Sequence, residues 1–163
     1  GGRGGRAGGC GWRGEKRVRG GGGNTGRVKN KPIGLGNGTL RCGSGLEDAG
    51  WGVQRERYVQ NRYWSKTKPL NSSLDYAAIQ PTLLAYPDGS IQTLCRTKSG
   101  RLTECWSHDG GKKWSRMKRT QLPNPNAGVD GTVLADGRAL LVYNHTRRGR
   151  SPLNGSVSTN GKI

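Results

Sequence analysis

Arg96, Asp130 and Arg148, with the side-chain amides of Gln80, Asn126 and Asn144, are the residues of this 163-residue chain best suited to chemistry on an oxygen-rich ligand. A planar guanidinium grips a carboxylate in two places, so Arg96 is a candidate clamp for a carboxylate or for hydroxyls, with Arg148 as a second cation. Asp130, flanked by Gly128 and Gly131, is the best placed carboxylate. Carboxamides both donate and accept, which suits Gln80, Asn126 and Asn144 to binding hydroxyl groups. Each has a plainer alternative: a loop-capping role for Asp130, a strand-end ion pair for Arg96. His145 reads as structural, and Tyr143, without an assignable carboxylate partner, reads as core. Cys10, Cys42, Cys95 and Cys105 lack CxxC spacing, and two His residues complete no familiar zinc pattern. The expectation is therefore no metal and no cofactor, with Cys95 and Cys105 as buried free thiols.

The elements that must position these residues announce themselves as a repeat. Three segments, 31–42, 80–95 and 131–143, each read as a short apolar strand, an Asn-Gly or Asp-Gly turn, and a second apolar strand, which is a strong hairpin signal. The turn glycines Gly38, Gly89 and Gly137 are 51 and 48 residues apart, and Trp64 and Trp114 are 50 apart. A period of about 50 residues suits a four-stranded propeller blade. Helical periodicity is nearly absent, so the chain is expected to be all-β. The octapeptide 107–114, Ser-His-Asp-Gly-Gly-Lys-Lys-Trp, carries its own physical logic. Asp109 can accept from backbone N–H groups ahead of it, and Gly110 and Gly111 tolerate positive φ. Ser107 can bond back to the turn, and Trp114 offers an apolar ring to anchor it.

Over residues 28–163 the sequence resembles the BNR-repeat sialidase-like family. The resemblance is carried by 29–33, Gly50-Trp51, 78–82, 94–96, 122–130 and 143–153, and by the octapeptide, which fits the family's Asp box through Ser107, Asp109, Gly111 and Trp114. It implies a sialidase-type β-propeller, six-bladed when complete, of which this chain would supply about two to three blades. Two further Asp boxes are degraded: 58–64 has lost the Ser, Asp and Gly, and 158–163 carries Asn160 for Asp and stops before its Trp. The activity implied is exo-glycoside hydrolysis of sialoglycans, with an Arg cluster on the substrate carboxylate, a Tyr nucleophile activated by Glu, and an Asp acid/base. Asp130 matches the last role and Arg96 the first; no Tyr–Glu pair and no three-Arg set can be assigned.

Blade topology separates scaffold from site. When strand A leads by its Asp-Gly turn into B, then C, then through the Asp box into D, the A–B and C–D turns share one end. The B–C loops and the D-to-next-A connections share the other. The Asp box is then architectural, and Gln80, Arg96, Asn126, Asp130, Asn144 and Arg148 belong to the opposite end.

Residues 1–26 are different material, expected to be a disordered tail ahead of a propeller domain at 27–163. Half of them are Gly. The whole chain carries a net charge of +18, and residues 1–30 contribute +7 of it, eight Lys and Arg against Glu15. An RGG-like arm of this kind offers a less favoured reading, nucleic-acid binding. A non-catalytic carbohydrate-binding propeller is the other alternative. No stretch is long and apolar enough to span a membrane, and neither compartment nor oligomeric state follows from the sequence. With the site spread over all blades, the chain by itself is expected to be inactive.

Overall fold

The computed structural model describes residues 29–46, 50–59, 63–72 and 74–159. The Gly/Arg-rich segment 1–26 lies outside them, as do 160–163 of the last degraded box and 60–62 of the first. Among the described residues there is no helix, and hence none able to cross a membrane.

Among the described residues, eleven strands form three antiparallel sheets. The first contains β1 (Ile33–Gly34), β2 (Thr39–Leu46), β3 (Gly52–Val59) and β4 (Tyr63–Lys66), in that spatial order. The second contains β5 (Ala78–Ala85), β6 (Ile91–Thr97), β7 (Arg101–Ser107) and β8 (Lys118–Pro123), again consecutive. The third pairs β9 (Asp130–Val133), β10 (Ala139–Tyr143) and β11 (Asn154–Val157). The sheets meet through β5, which packs on β2 and β3, and at its edge on β1, of one neighbour and on β9 of the next. This is the arrangement of successive propeller blades: two of four strands and three strands of another.

The repeat holds at the level of individual hydrogen bonds. In each blade the first hairpin closes with the same pair, Leu35 N–H to Thr39 O, Tyr86 N–H to Ser90 O, and Leu134 N–H to Arg138 O, at 2.8, 2.9 and 2.8 Å. In each the turn side chain, Asn37, Asp88 or Asp136, accepts from the N–H two residues on. Gly38, Gly89 and Gly137 sit at φ of 75°, 80° and 84°, the left-handed region that a side chain resists.

Burial explains why the central blade does not read as a clean alternation. β5, β6 and β7 are covered on both faces. Leu84, Leu94 and Leu102 join Val129, Ala139, Leu141 and Tyr143 in a core toward the third sheet. Val53, Ala78, Cys95, Cys105 and Met117 pack between the first and second. Cys42, Cys95 and Cys105 are free and buried, so the two thiols expected inside are there. Polar groups within this core are joined: Tyr86 Oη donates to Gln92 Oε1 (2.8 Å), and Gln92 Nε2 and Trp106 Nε1 both donate to Glu104 Oε2 (2.7 and 2.8 Å).

Glycine is required where blades touch most closely. A Cβ on Gly43 would lie 2.6 Å from Pro81 Cγ across the first interface. Pro81 sits in a register shift of β5 against β6 between Ile79 and Thr82, a local break that a residue without an N–H tolerates.

Candidate functional site

The 107–114 turn has the bonding its residue types demand. Ser107 Oγ accepts from Gly111 N–H (2.8 Å), and Asp109 Oδ1 accepts from Ser107 Oγ, Lys112 N–H and Lys113 N–H, each at 2.9 Å. Gly110 and Gly111 adopt φ of 68° and 81°. Trp114 donates to Gly111 O (3.2 Å) and packs against the Val53–Cys105 core. The polar side-chain atoms of Ser107 and Asp109 are thus engaged inside the turn. The segment shares an end of the blade with the 86–90 turn, since β5 and β7 both run toward it.

At the opposite end, residues from the three inner strands or just ahead of them meet at one carboxylate. Lys31, just ahead of β1, donates from Nζ to Asp130 Oδ1 (3.0 Å) and to Gly131 O (2.6 Å) at the start of β9. Thr82 of β5 donates from Oγ1 to the same Asp130 oxygen (2.8 Å), as does Gly131 N–H (2.8 Å). Burial pushes the Asp130 carboxyl up, but the bonds from Thr82, Lys31 and Gly131 together outweigh it and hold the group below its ordinary value. Asp130 is therefore a carboxylate at neutral pH, placed to accept hydrogen bonds and to present negative charge. An open recess of about 300 Å3 runs beside it, lined by Lys31, Asp130, Gly131, Thr132, Leu140 and Val142.

Asn30 ties this end of the molecule together. Its buried amide donates to Gln80 O (3.3 Å) and to Val129 O (3.1 Å), reaching into both following blades. Gln80 has φ of 53° and Asn126 φ of 60°, the two non-glycine residues with positive φ among those described. Such strain persists only where the surroundings over-determine it. For Gln80 the surroundings are the Asn30 clip and the β5 register shift. For Asn126 they are the loop around buried Asn124, whose amide donates to Ala127 O and whose Oδ1 accepts from Ala127 N–H, both at 3.1 Å.

Arg96, near the end of β6, lies on the same end. Its Nη1 reaches Asn126 O at 3.5 Å, and its guanidinium stands 5.4 Å from the Trp51 ring centroid. Lys98 Nζ is 4.4 Å from that ring. Asn144 is 5% exposed, and its amide donates to Arg150 O and Pro152 O (2.7 and 2.9 Å), pinning the loop after β10. Arg148 is exposed on that loop, its N–H on Thr146 Oγ1 (3.3 Å). Thus Gln80, Arg96, Asn126 and Asp130 cluster about the inner-strand starts, whereas Asn144 and Arg148 occupy the loop of the third blade. His145 Nδ1 meets Tyr143 Oη, and Tyr143 is fully buried, its phenol raised by that burial and so held protonated.

Lys31, Thr82 and Trp51 were not singled out as site residues from sequence. A signal for Lys31 existed: Lys31, Gln80 and Asp130 are 49 and 50 residues apart, one position of the repeat occupied by three residue types. Trp51 carries no such mark, because the β2–β3 connection that holds it differs in length from its counterparts.

Residues 6–163 match the model of the BNR repeat-like domain. The chain belongs to the BNR repeat-like family. Among solved structures it is similar to a variant of the NanB sialidase of Streptococcus pneumoniae, at 20% identity and a TM-score of 0.65, over 77% of this chain and 20% of that one. It is similar to a protein of unknown function from Dyadobacter fermentans, at 16% identity and a TM-score of 0.68, over 81% of this chain and 37% of that one. It is similar also to the intramolecular trans-sialidase of Ruminococcus gnavus, at 22% identity and a TM-score of 0.61, over 77% and 28%. At these identities the likeness establishes the fold: a BNR, sialidase-type propeller represented in part. The chain spans between 20% and 37% of those solved chains. No curated protein matches it.

Proposed function

We propose that this BNR propeller segment contributes one wall of a sialidase-like glycan site, at the end where the inner strands begin. The carrying observation is the junction of Lys31, Thr82 and Asp130, one residue from each of three blades, with two left-handed non-glycine residues beside it. Asp130 is the proposed carboxylate of the reaction, and Arg96, with Lys31 and Lys98 at the same end, favours an anionic sugar. Gln80 and Asn126 are the proposed hydroxyl-binding amides, with Asn144 and Arg148 extending the site along the third blade. Ser107, Asp109, Gly111 and Trp114 form the proposed structural Asp box. The unit that bears the site is residues 27–163, preceded by the basic tail 1–26.

A second reading, carbohydrate binding without hydrolysis, draws on a specific observation. Asp130 is held ionised by its donors rather than poised to donate a proton, and Tyr143 is buried on His145 with no carboxylate bonded to it among the described residues. Saturation-transfer NMR with N-acetylneuraminic acid, together with a fluorogenic sialoside assay, tests the site in this chain, and the same sialoside assay on a completed propeller separates hydrolysis from binding alone. We expect binding without turnover by this chain, weakened in Arg96→Ala and Asp130→Asn. Turnover by the 163 residues alone would refute the proposed dependence on further blades. Binding unchanged in both variants would remove the site from this end.

A further inference from the structure

We propose that a second site, a receptor for a small tetrahedral oxyanion of the phosphate or sulfate class, lies between the first and second blades at the end of the 107–114 turn. The recess there measures about 230 Å3, and its wall holds five cationic residues, Arg41, Arg55, Arg57, Lys66 and Lys112, with no carboxylate among its lining residues. Sequence alternation puts the arginines on one face. Arg41 and Arg57 are direct cross-strand partners in β2 and β3, and Arg55 is two residues before Arg57. Like charges directly opposite each other destabilise a sheet unless something stands between them.

Two of these cations are deeply buried, Arg55 at 1% exposure and Arg41 at 6%. Arg55 stacks its guanidinium 4.3 Å from the Trp114 ring centroid, and its Nε and Nη2 have no hydrogen-bond partner among the described residues. Arg41 donates from Nη2 to Gly110 O, but its Nε is likewise unpartnered among them. The carboxylate that acts on Arg41 is Asp109, and its oxygens are already shared among Ser107, Lys112 and Lys113. Burial and the Arg57 charge both pull Arg41 below its ordinary value. A buried charge without sufficient compensation is costly, and removing the cost calls for an anion.

The rest of the wall fits that ligand. Ser65 is the β4 partner of Arg57, and Thr67 Oγ1 accepts from Arg55 N–H (3.1 Å), which leaves its own proton to donate. A Cβ on Gly111 would stand 3.2 Å from Arg41 Cζ and Nε, so glycine lets the turn close over the guanidinium. Planar guanidinium forks match the oxygens of phosphate and sulfate. The site stands apart from the proposed sugar site, at the other end of the blades, and does not depend on it.

The test is thermal unfolding of the full chain against inorganic phosphate, inorganic sulfate and glycerol phosphate, with ionic strength held constant by sodium chloride. At about 100 times Kd, a specific anion should raise Tm by about 5–10 °C and saturate. General stabilisation by excluded salts grows without saturating. Arg57→Ala and Lys112→Ala should lose the saturable shift, while Arg138→Ala, an equal charge change on the third blade, should keep it. If the arginine variant fails to fold, Lys112→Ala still decides. A stronger response to the ester than to the free ions would assign the site to a phosphorylated or sulfated molecule, and the reverse to the free ion. A shift that never saturates, or one retained in Lys112→Ala, would overturn the proposal.

Discussion

Replacing Gly131 by alanine tests the packing that sets the third blade against the second. A Cβ at this position would lie 2.5 Å from Leu141 Cδ2, 2.8 Å from Leu140 O and 3.2 Å from Leu84 Cδ2. Carbon atoms in ordinary contact sit about 3.5–4.0 Å apart, so the new methyl overlaps Leu141 by roughly 1 Å. Leu141 and Leu84 are 1% and 0% exposed and belong to one core, so neither has space to rotate into. The Leu140 carbonyl is backbone beside the Gly131–Leu141 pair, and relief there means separating β9 from β10. Overpacking of this kind costs about 1–3 kcal/mol. For a chain of this size that corresponds to a fall in Tm of about 2–12 °C. Gly155→Ala is the control, because nothing lies within 4 Å of its Cβ position and its φ is not positive. It should be neutral or stabilise by about 0.4–1 kcal/mol through the unfolded chain. Circular dichroism melts of the two variants beside the parent provide the measurement. If Gly131→Ala melts at or above the parent, the described contact between β5, β9 and β10 is wrong.

Two further predictions rest on titration. Burial pushes the Cys95 thiol up to about 12, and those of Cys105 and Cys42 up to about 11. Iodoacetamide at pH 8 should therefore leave all three unmodified in the native chain and alkylate them after denaturation, as peptide mapping would show; rapid native labelling of Cys95 would contradict its burial. Asp109, Asp130 and Asp136 are all held below the ordinary 3.8. The Lys113 N–H leads for Asp109 and the Arg138 side chain for Asp136, while the donors on Asp130 overcome its burial. Because the folded values are depressed, their contribution is present above about pH 3.8 and is lost as pH falls through the folded values. Tm measured across this acid range should fall less steeply in Asp109→Asn than in the parent, and an identical slope would refute the role given to that carboxylate.

Three turn glycines about fifty residues apart and the spaced Ser, Asp, Gly and Trp of one octapeptide made the all-β repeat legible before any coordinates. These signals are local: a left-handed φ or an Asx-type turn is decided by neighbours within a few residues, so residue type alone reveals it. The same logic assigned Asp109 to the scaffold and pointed to the other end of the blades for chemistry. It was weaker for the site itself. Asn144 was chosen for its amide, but only the folded loop shows that amide donating to Arg150 and Pro152. A lysine in a basic chain carries no local mark, and Lys31 is signalled only by its place in the repeat beside Gln80 and Asp130.

What the sequence by itself determined is therefore the blade: its strands and its turns. Only the tertiary structure decided the partnerships across blades, where Lys31 and Thr82 meet Asp130, Arg96 approaches Trp51, and Arg41 and Arg55 face a common recess. Their distances depend on how neighbouring sheets pack, through contacts such as Gly43 on Pro81 and Gly131 on Leu84, between residues separated by 38 to 100 positions in the chain.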